Sequence, residues 1–203
     1  FFRAMGDRHQ ITLIGFGQRP TVLVDYTGDP GRLQNGLSRV FAQGGSGAYL
    51  MEGIIEAAQG LRRRESPRRV MIVIASESGE LSNRYSRDVV SEVRDSELVL
   101  DAFVITGKPG VTRANEPGAT RGDRTAFPAL PDQNAGERAA ALDEATRMTG
   151  GRHEHLATST VLGTRLRELA AEFNNQYRVI YDGRSALVPP SSIEVQTTRP
   201  DIR

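Results

Sequence analysis

The chain has 203 residues, of which 38% are hydrophobic and 25% charged, which suits one packed domain with a small appendage. A formal net charge of +1 gives no electrostatic reason to expect nucleic acid or a membrane surface as partner. The absence of cysteine excludes disulfides, thiolate metal sites and a cysteine nucleophile, and the longest apolar run, Val70–Ala75, is too short to cross a bilayer.

In chain order, Gln10–Phe16 and Thr21–Tyr26 read as two strands of an antiparallel hairpin, joined by Gly17-Gln18-Arg19-Pro20. Asp29-Pro30 reads as a helix start, with Asp as N-cap and Pro at the first helical position. Leu33, Leu37, Val40 and Phe41 then fall on one helical face. Gly44–Gly47 breaks the pattern. A longer helix follows, with Leu50, Met51, Ile54, Ile55, Ala58 and Leu61 on one side. It ends in Arg62-Arg63-Arg64, cations placed against the negative end of the helix dipole, and Pro67 stops it.

Val70–Ala75 is a continuous β-branched strand of the kind buried on both faces in parallel sheets. Tyr85, Val89, Val90 and Val93 predict a short helix, and Leu98–Ile105 a second buried strand. Residues 107–136 hold five Gly and four Pro without periodicity and read as a long loop or insertion. Glu137–Met148 is a helix stopped by Gly150-Gly151. His153–Leu156 is a short edge strand, and Leu162, Leu166, Leu169 and Phe173 mark a last helix. Tyr177–Tyr181 and Ile193–Thr197 are further strand candidates. The alternation predicts an α/β, doubly wound, mostly parallel sheet plus a small C-terminal hairpin.

The stretches DRHQITLIGFGQRPTVLVDYTGD, GGSGAYLMEGIIEA, RRVMIVIASESGE, ALDEATRMTGGR and LRELAAEFNNQYRVIYD, in this order, resemble the von Willebrand factor type A domain. More narrowly, they resemble its bacterial "VWFA-related" subfamily, found mainly in Acidobacteria. The resemblance implies a Rossmann-like sheet with one antiparallel edge strand over residues 1–182, followed by a C-terminal strand and tail over 183–203. It also implies an exported protein, periplasmic or extracellular. The chain opens on Phe1 rather than Met, which reads as a fragment or processed form, with the family's central first strand upstream. The sheet then either leaves a gap or closes it by pairing Gln10–Phe16 with Val70–Ala75.

The family's binding device is a metal-ion-dependent adhesion site at the C-terminal edge of the sheet. It is built from an Asp-x-Ser-x-Ser loop, a Thr before a helix and an Asp after a strand, oxygens suited to Mg²⁺. The first loop has no match here, the Thr position falls on Ala48, and Glu77 stands near the Asp position with one more methylene. The resemblance therefore implies a degenerate site. Its partner-binding edge comprises Ser46, Ala48, Ser76, Glu77, Ser78 and Thr106, with Glu77 a weak metal candidate. No catalytic residue and no resident cofactor are expected; Mg²⁺ would bind only if an upstream Asp-x-Ser-x-Ser completed the set. The expected partner is a protein of unknown identity, without nucleic acid or membrane insertion.

Other patterns are weaker. Gly15-Phe16-Gly17 leads into a strand, whereas a pyrophosphate-binding turn must open a helix. Gly44–Gly47 opens a helix but lacks the Lys-Ser/Thr that completes a phosphate loop. His153-Glu154-His155 puts two imidazoles on one strand face without a third zinc ligand nearby. The only other histidine, His9, gives little support to a Ser-His-Asp arrangement. Arg62–Arg64 with Arg68 and Arg69 read as a solvated helix end, and Arg121-Gly122-Asp123 as a chance tripeptide. An enzyme on a doubly wound scaffold is the least favoured alternative.

Overall fold

A computed structural model describes residues 1–40, 48–77, 79–106 and 134–176. Two sheets form. Strands β1 (Ile11–Gly15) and β2 (Thr21–Thr27) make an antiparallel hairpin, and β3 (Arg69–Ser76), β4 (Leu98–Ile105) and β5 (His153–Leu156) make a parallel sheet in that order. The helices are α1 (Phe2–Met5), α2 (Pro30–Leu37), α3 (Leu50–Arg62), α4 (Ser86–Asp95), α5 (Ala135–Thr149) and α6 (Ser159–Asn175).

β3 and β4 run in unbroken register from Arg69 opposite Leu98 to Ser76 opposite Ile105. Their alternating side chains feed two cores. Met71, Val73 and Ala75, with Leu100, Ala102 and Val104, pack under α3, α4 and α5. On the other face, Phe103 and Leu156 meet Leu169, Ala170 and Phe173 of α6 and Met5 of α1, with Val70 and Ile72 half-buried beside them. The parallel sheet is thus covered by helices on both sides, as the continuous apolar runs predict.

Local chemistry explains several boundaries. The Asp29 carboxylate accepts the N–H groups of Gly31 at 2.7 Å and Arg32 at 3.3 Å, capping α2 with Pro30 at its first position. Gly150 ends α5 at φ 73°, the left-handed conformation that favours glycine. α5 begins at Ala135, so the last residues of the expected 107–136 loop belong to a helix. Residues 107–133 and the strand candidates at 177–181 and 193–197, and with them the C-terminal hairpin and the 183–203 tail, lie outside the described residues.

Three expectations are corrected. α2 ends at Leu37, and Leu37 and Val40 are exposed, because the helix buries Leu33 and Gly36 against β2 instead. Tyr85 lies outside α4 and is 54% exposed, its backbone N–H donating to the Asp88 carboxylate at 3.0 Å. β1 does not pair with β3: among the described residues β1 pairs with β2 alone and β3 with β4 alone. Among the described residues no strand fills the gap, and β1 and β3 both line one cleft of about 2230 Å³.

The Arg-rich end of α3 is more than a solvated terminus. Arg62 pairs with Glu92 at 3.3 Å, and Arg64 stacks its guanidinium 3.7 Å from the centre of the Tyr26 ring. Arg69 donates to the Arg64 carbonyl at 3.0 Å, an oxygen just past the helix end that also accepts the Ser66 N–H at 2.9 Å. Arg68 lies 4.8 Å from the centre of the Phe173 ring.

Candidate functional site

Because β3, β4 and β5 are parallel, their C-terminal ends share one edge of the sheet. Ser76 is the last residue of β3, and the Glu77 N–H donates to the Ile105 carbonyl at 3.2 Å, holding the strand ends together one residue longer. Thr106 follows β4 and is anchored to β5: its N–H donates to the Leu156 carbonyl at 2.9 Å, and its hydroxyl donates to the same oxygen at 3.3 Å. The structure therefore brings Ser76, Glu77 and Thr106 to one edge.

Ala48 joins them through the next turn. It forms a parallel bridge with Glu80, its N–H donating to the Gly79 carbonyl at 2.7 Å and its carbonyl accepting from Leu81 at 2.9 Å. Tyr49 donates to the carbonyls of Phe16 and Gly17, tying the start of α3 to the end of β1. Ser46 and Ser78 lie outside the described residues.

Two features were not foreseen. Glu80 is only 3% exposed, and its carboxylate accepts the Ser82 N–H at 2.9 Å. The Ser82 hydroxyl accepts the Glu52 N–H at 3.2 Å, and Asn134 donates to the carbonyls of Glu80 and Ser82. Glu80 and Ser82, which follow the β3 edge in the chain, are thus held by α3 and by the residue preceding α5. The Glu137 carboxylate accepts the Ser86 N–H at 2.7 Å, and these bonds from Ser86 hold its pKa below the ordinary value.

The edge is polar and accessible at its centre. Ser76 and Glu77 are exposed, while Ala48 and Thr106 are half-buried. Ala48 presents only a methyl group, and the Thr106 hydroxyl is bonded to a backbone carbonyl. Among the described residues no group of three or more His, Asp or Glu side chains converges to hold a cation. One carboxylate with one adjacent free hydroxyl does not make up the oxygen shell that Mg²⁺ demands, so the described donors do not fit that ion unaided.

The histidine pair lies elsewhere. His155 is exposed on β5, but His153 is not: its side chain is 12% exposed and stands 3.8 Å from Asp143. Burial, with a smaller contribution from His155, lowers the His153 pKa below 6.5, and Asp143 offsets part of this. The two rings are 4.9 Å apart.

No family model matches the sequence, and no curated protein does. Solved structures do match the fold. The VWA domain of SpRpn10 superposes with a TM-score of 0.51 at 14% identity, over 82% of this chain and 77% of that one. The conserved hypothetical protein BatB from Bacteroides thetaiotaomicron gives 0.52 at 13% identity, over 84% and 85%. An aerotolerance-related membrane protein from Bacteroides fragilis NCTC 9343, solved with multiple mutations to serines, gives 0.52 at 14% identity, over 84% and 86%. The chain has the α/β, Rossmann-like fold of a von Willebrand factor A domain.

Proposed function

We propose that the chain is a non-catalytic protein-interaction module that meets its partner at the C-terminal edge of the parallel sheet, through Ser76, Glu77 and Thr106, without a metal. The observation that carries this reading is the exposed Glu77 carboxylate at the end of β3, whose backbone N–H is held by the Ile105 carbonyl at 3.2 Å, on the edge shared with Thr106. An exposed carboxylate at a strand end favours a partner that offers Arg or Lys. Ser46 and Ser78 belong to the same proposed edge. The fold neighbours support the reading at the level of the domain type, and the membrane protein among them supports one of export or membrane attachment. Among the described residues, no helix is long and apolar enough to cross a membrane.

A photo-crosslinker at position 76 should trap the partner in the native host. Glu77→Ala should then weaken binding by about tenfold or more, the order expected for losing a charge-assisted contact. EDTA should leave the affinity unchanged; loss of binding in EDTA overturns the metal-free reading. The adjacent oxygens of Ser76 and Glu77 favour one second reading, in which a preceding Asp-x-Ser-x-Ser segment supplies the remaining ligands. That reading expects Mg²⁺ or Mn²⁺ to raise the melting temperature of a chain carrying such a segment, and not that of residues 1–203.

A further inference from the structure

A net charge of +1 conceals one local excess: residues Arg62–Arg69 hold five arginines against a single carboxylate, Glu65. The stretch closes α3 and opens β3. Its turn is braced by its own bonds. The Ser66 N–H donates to the Arg64 carbonyl at 2.9 Å, the Ser66 hydroxyl donates to the Arg68 carbonyl at 2.8 Å, and the Arg69 guanidinium reaches back to the Arg64 carbonyl. Among the described residues, Arg62 and Arg69 have carboxylate partners, Glu92 and Glu97, whereas Arg63, Arg64 and Arg68 have none within ion-pair distance.

These three exposed side chains are nevertheless held in place. Arg64 lies 3.7 Å from the centre of the Tyr26 ring, Arg68 lies 4.8 Å from that of Phe173, and Arg63 Nε donates to the Gln59 carbonyl at 3.2 Å. A guanidinium stacked on a ring uses its flat face there and keeps its in-plane N–H donors for a planar anion. Among the described residues, no acceptor takes the side-chain donors of Arg64 or Arg68. Cations held beforehand lose less freedom on binding.

The supports also indicate the shape of the ligand. Gln59 belongs to α3, Tyr26 to β2 and Phe173 to α6. Anchors on three elements spread the charges instead of closing them round one ion, which suits carboxylates carried along a chain. A bilayer surface would also meet the exposed Glu65, and Glu97, whose side chain is 84% exposed beside Arg69. The bases of a single strand would find no free aromatic face, because Tyr26 lies beneath Arg64 and Phe173 is buried.

We propose that Arg63, Arg64 and Arg68 form a docking surface for an acidic segment of a partner protein, extended and carrying one carboxylate for each arginine fork. β3 runs from Arg69 to Ser76, which puts this surface about 23 Å from the edge where Ser76 lies. It stands independently of that edge, and both can be occupied together.

The test uses the 203-residue chain and a fluorescent peptide of alternating Glu and Ser, with its Gln-Ser counterpart as the uncharged probe. The Glu peptide should bind saturably at one-to-one stoichiometry, and the Gln peptide should not. Affinity should fall about tenfold as ionic strength rises from about 0.01 to about 0.1 M, which shortens the screening length from about 30 to about 10 Å. Arg63→Gln, Arg64→Ala and Arg68→Ala should each weaken binding about threefold, and the triple variant should remove it. Arg64→Lys should weaken it as well, because it keeps the charge and loses the fork. Arg87→Ala, at an exposed arginine on α4, should change nothing. Arg63→Gln is the variant least able to disturb the fold, since its side chain bonds only a carbonyl of its own helix, and thermal melts check the others.

Absence of saturable binding overturns the proposal, and so does binding that Arg63→Gln and the triple variant leave unchanged. Tighter arginine-dependent capture by vesicles of anionic phospholipid, or displacement of the peptide by an equal concentration of single-stranded DNA, overturns the acidic peptide as the occupant. Self-association that both Glu77→Ala and the triple variant abolish makes a second copy the occupant and overturns a separate partner.

Discussion

Two ionisable side chains, the half-buried His153 and the buried Asp101, set how single residues respond to pH. His153 has a folded pKa below 6.5, so below that pH the unfolded chain binds more protons than the folded one. Stability due to His153 is therefore full above 6.5 and is lost as pH falls through the folded value. Urea titrations at a series of pH values should show this slope in the native protein and its loss in His153→Gln. Asp101 behaves in the opposite sense. It is 3% exposed within β4, burial raises its pKa above 3.8, and the Arg152 N–H donating to it at 2.9 Å pulls the other way. An amide can accept the same bond without the buried charge. Asp101→Asn should therefore preserve or raise stability at neutral pH, whereas Asp101→Ala should cost about 1 kcal/mol or more by leaving the partly buried Arg152 N–H without its acceptor. Chemical denaturation separates the two. Neither residue announces itself in the sequence. Asp101 sits in an apolar strand where only the β4–β5 junction shows what it holds, and His153 looks exposed until α5 is placed over it.

At the scale of elements, the junction between α5 and β5 has the tightest geometry. A Cβ on Gly151 would lie 1.9 Å from the Leu100 carbonyl oxygen, a backbone atom that cannot swing aside. Gly151→Ala should destabilise the chain by about 1–3 kcal/mol or more through forced displacement of β4 against β5, while Gly136→Ala, with open space around it, should be neutral or slightly stabilising. Thermal melts of the pair check this. The elements were largely legible. Asp29-Pro30 fixed the start of α2, Gly150 the end of α5, and the unbroken β-branched runs marked β3 and β4 as paired and two-faced. The face of α2 was misread because Gly36, silent in any hydrophobic pattern, allows the helix onto Val24, which turns Leu37 outward. The edge carrying Glu77 was legible from the abrupt end of β3. The buried Glu80 that follows it was not: a glutamate after glycine in a polar turn reads as solvated, and its burial follows only from the approach of Ala48 and Asn134.

Across the whole molecule, the order of strands and helices specified the doubly wound plan, but not how its two halves would meet. The sequence left two outcomes, a closed sheet or an open one, and composition cannot choose between them because both bury the same helical faces. The open form keeps α3 bridging the hairpin and the parallel sheet, with the base of Phe16 against Gly53 at 3.0 Å from where a Cβ would stand.

That open form has a consequence for solubility. Val70–Ala75 is uncharged, strongly β-forming and free of proline, the pattern of a segment that stacks with copies of itself. In a closed sheet such a segment is sealed on both edges; among the described residues one edge of β3 has no partner strand. Arg68 and Arg69 before it and Glu77 after it act as gatekeepers, whose charges would repel in any in-register stack of identical chains. High salt should weaken that protection, so thioflavin-positive fibrils should appear sooner at high ionic strength and sooner still in Arg68→Ser.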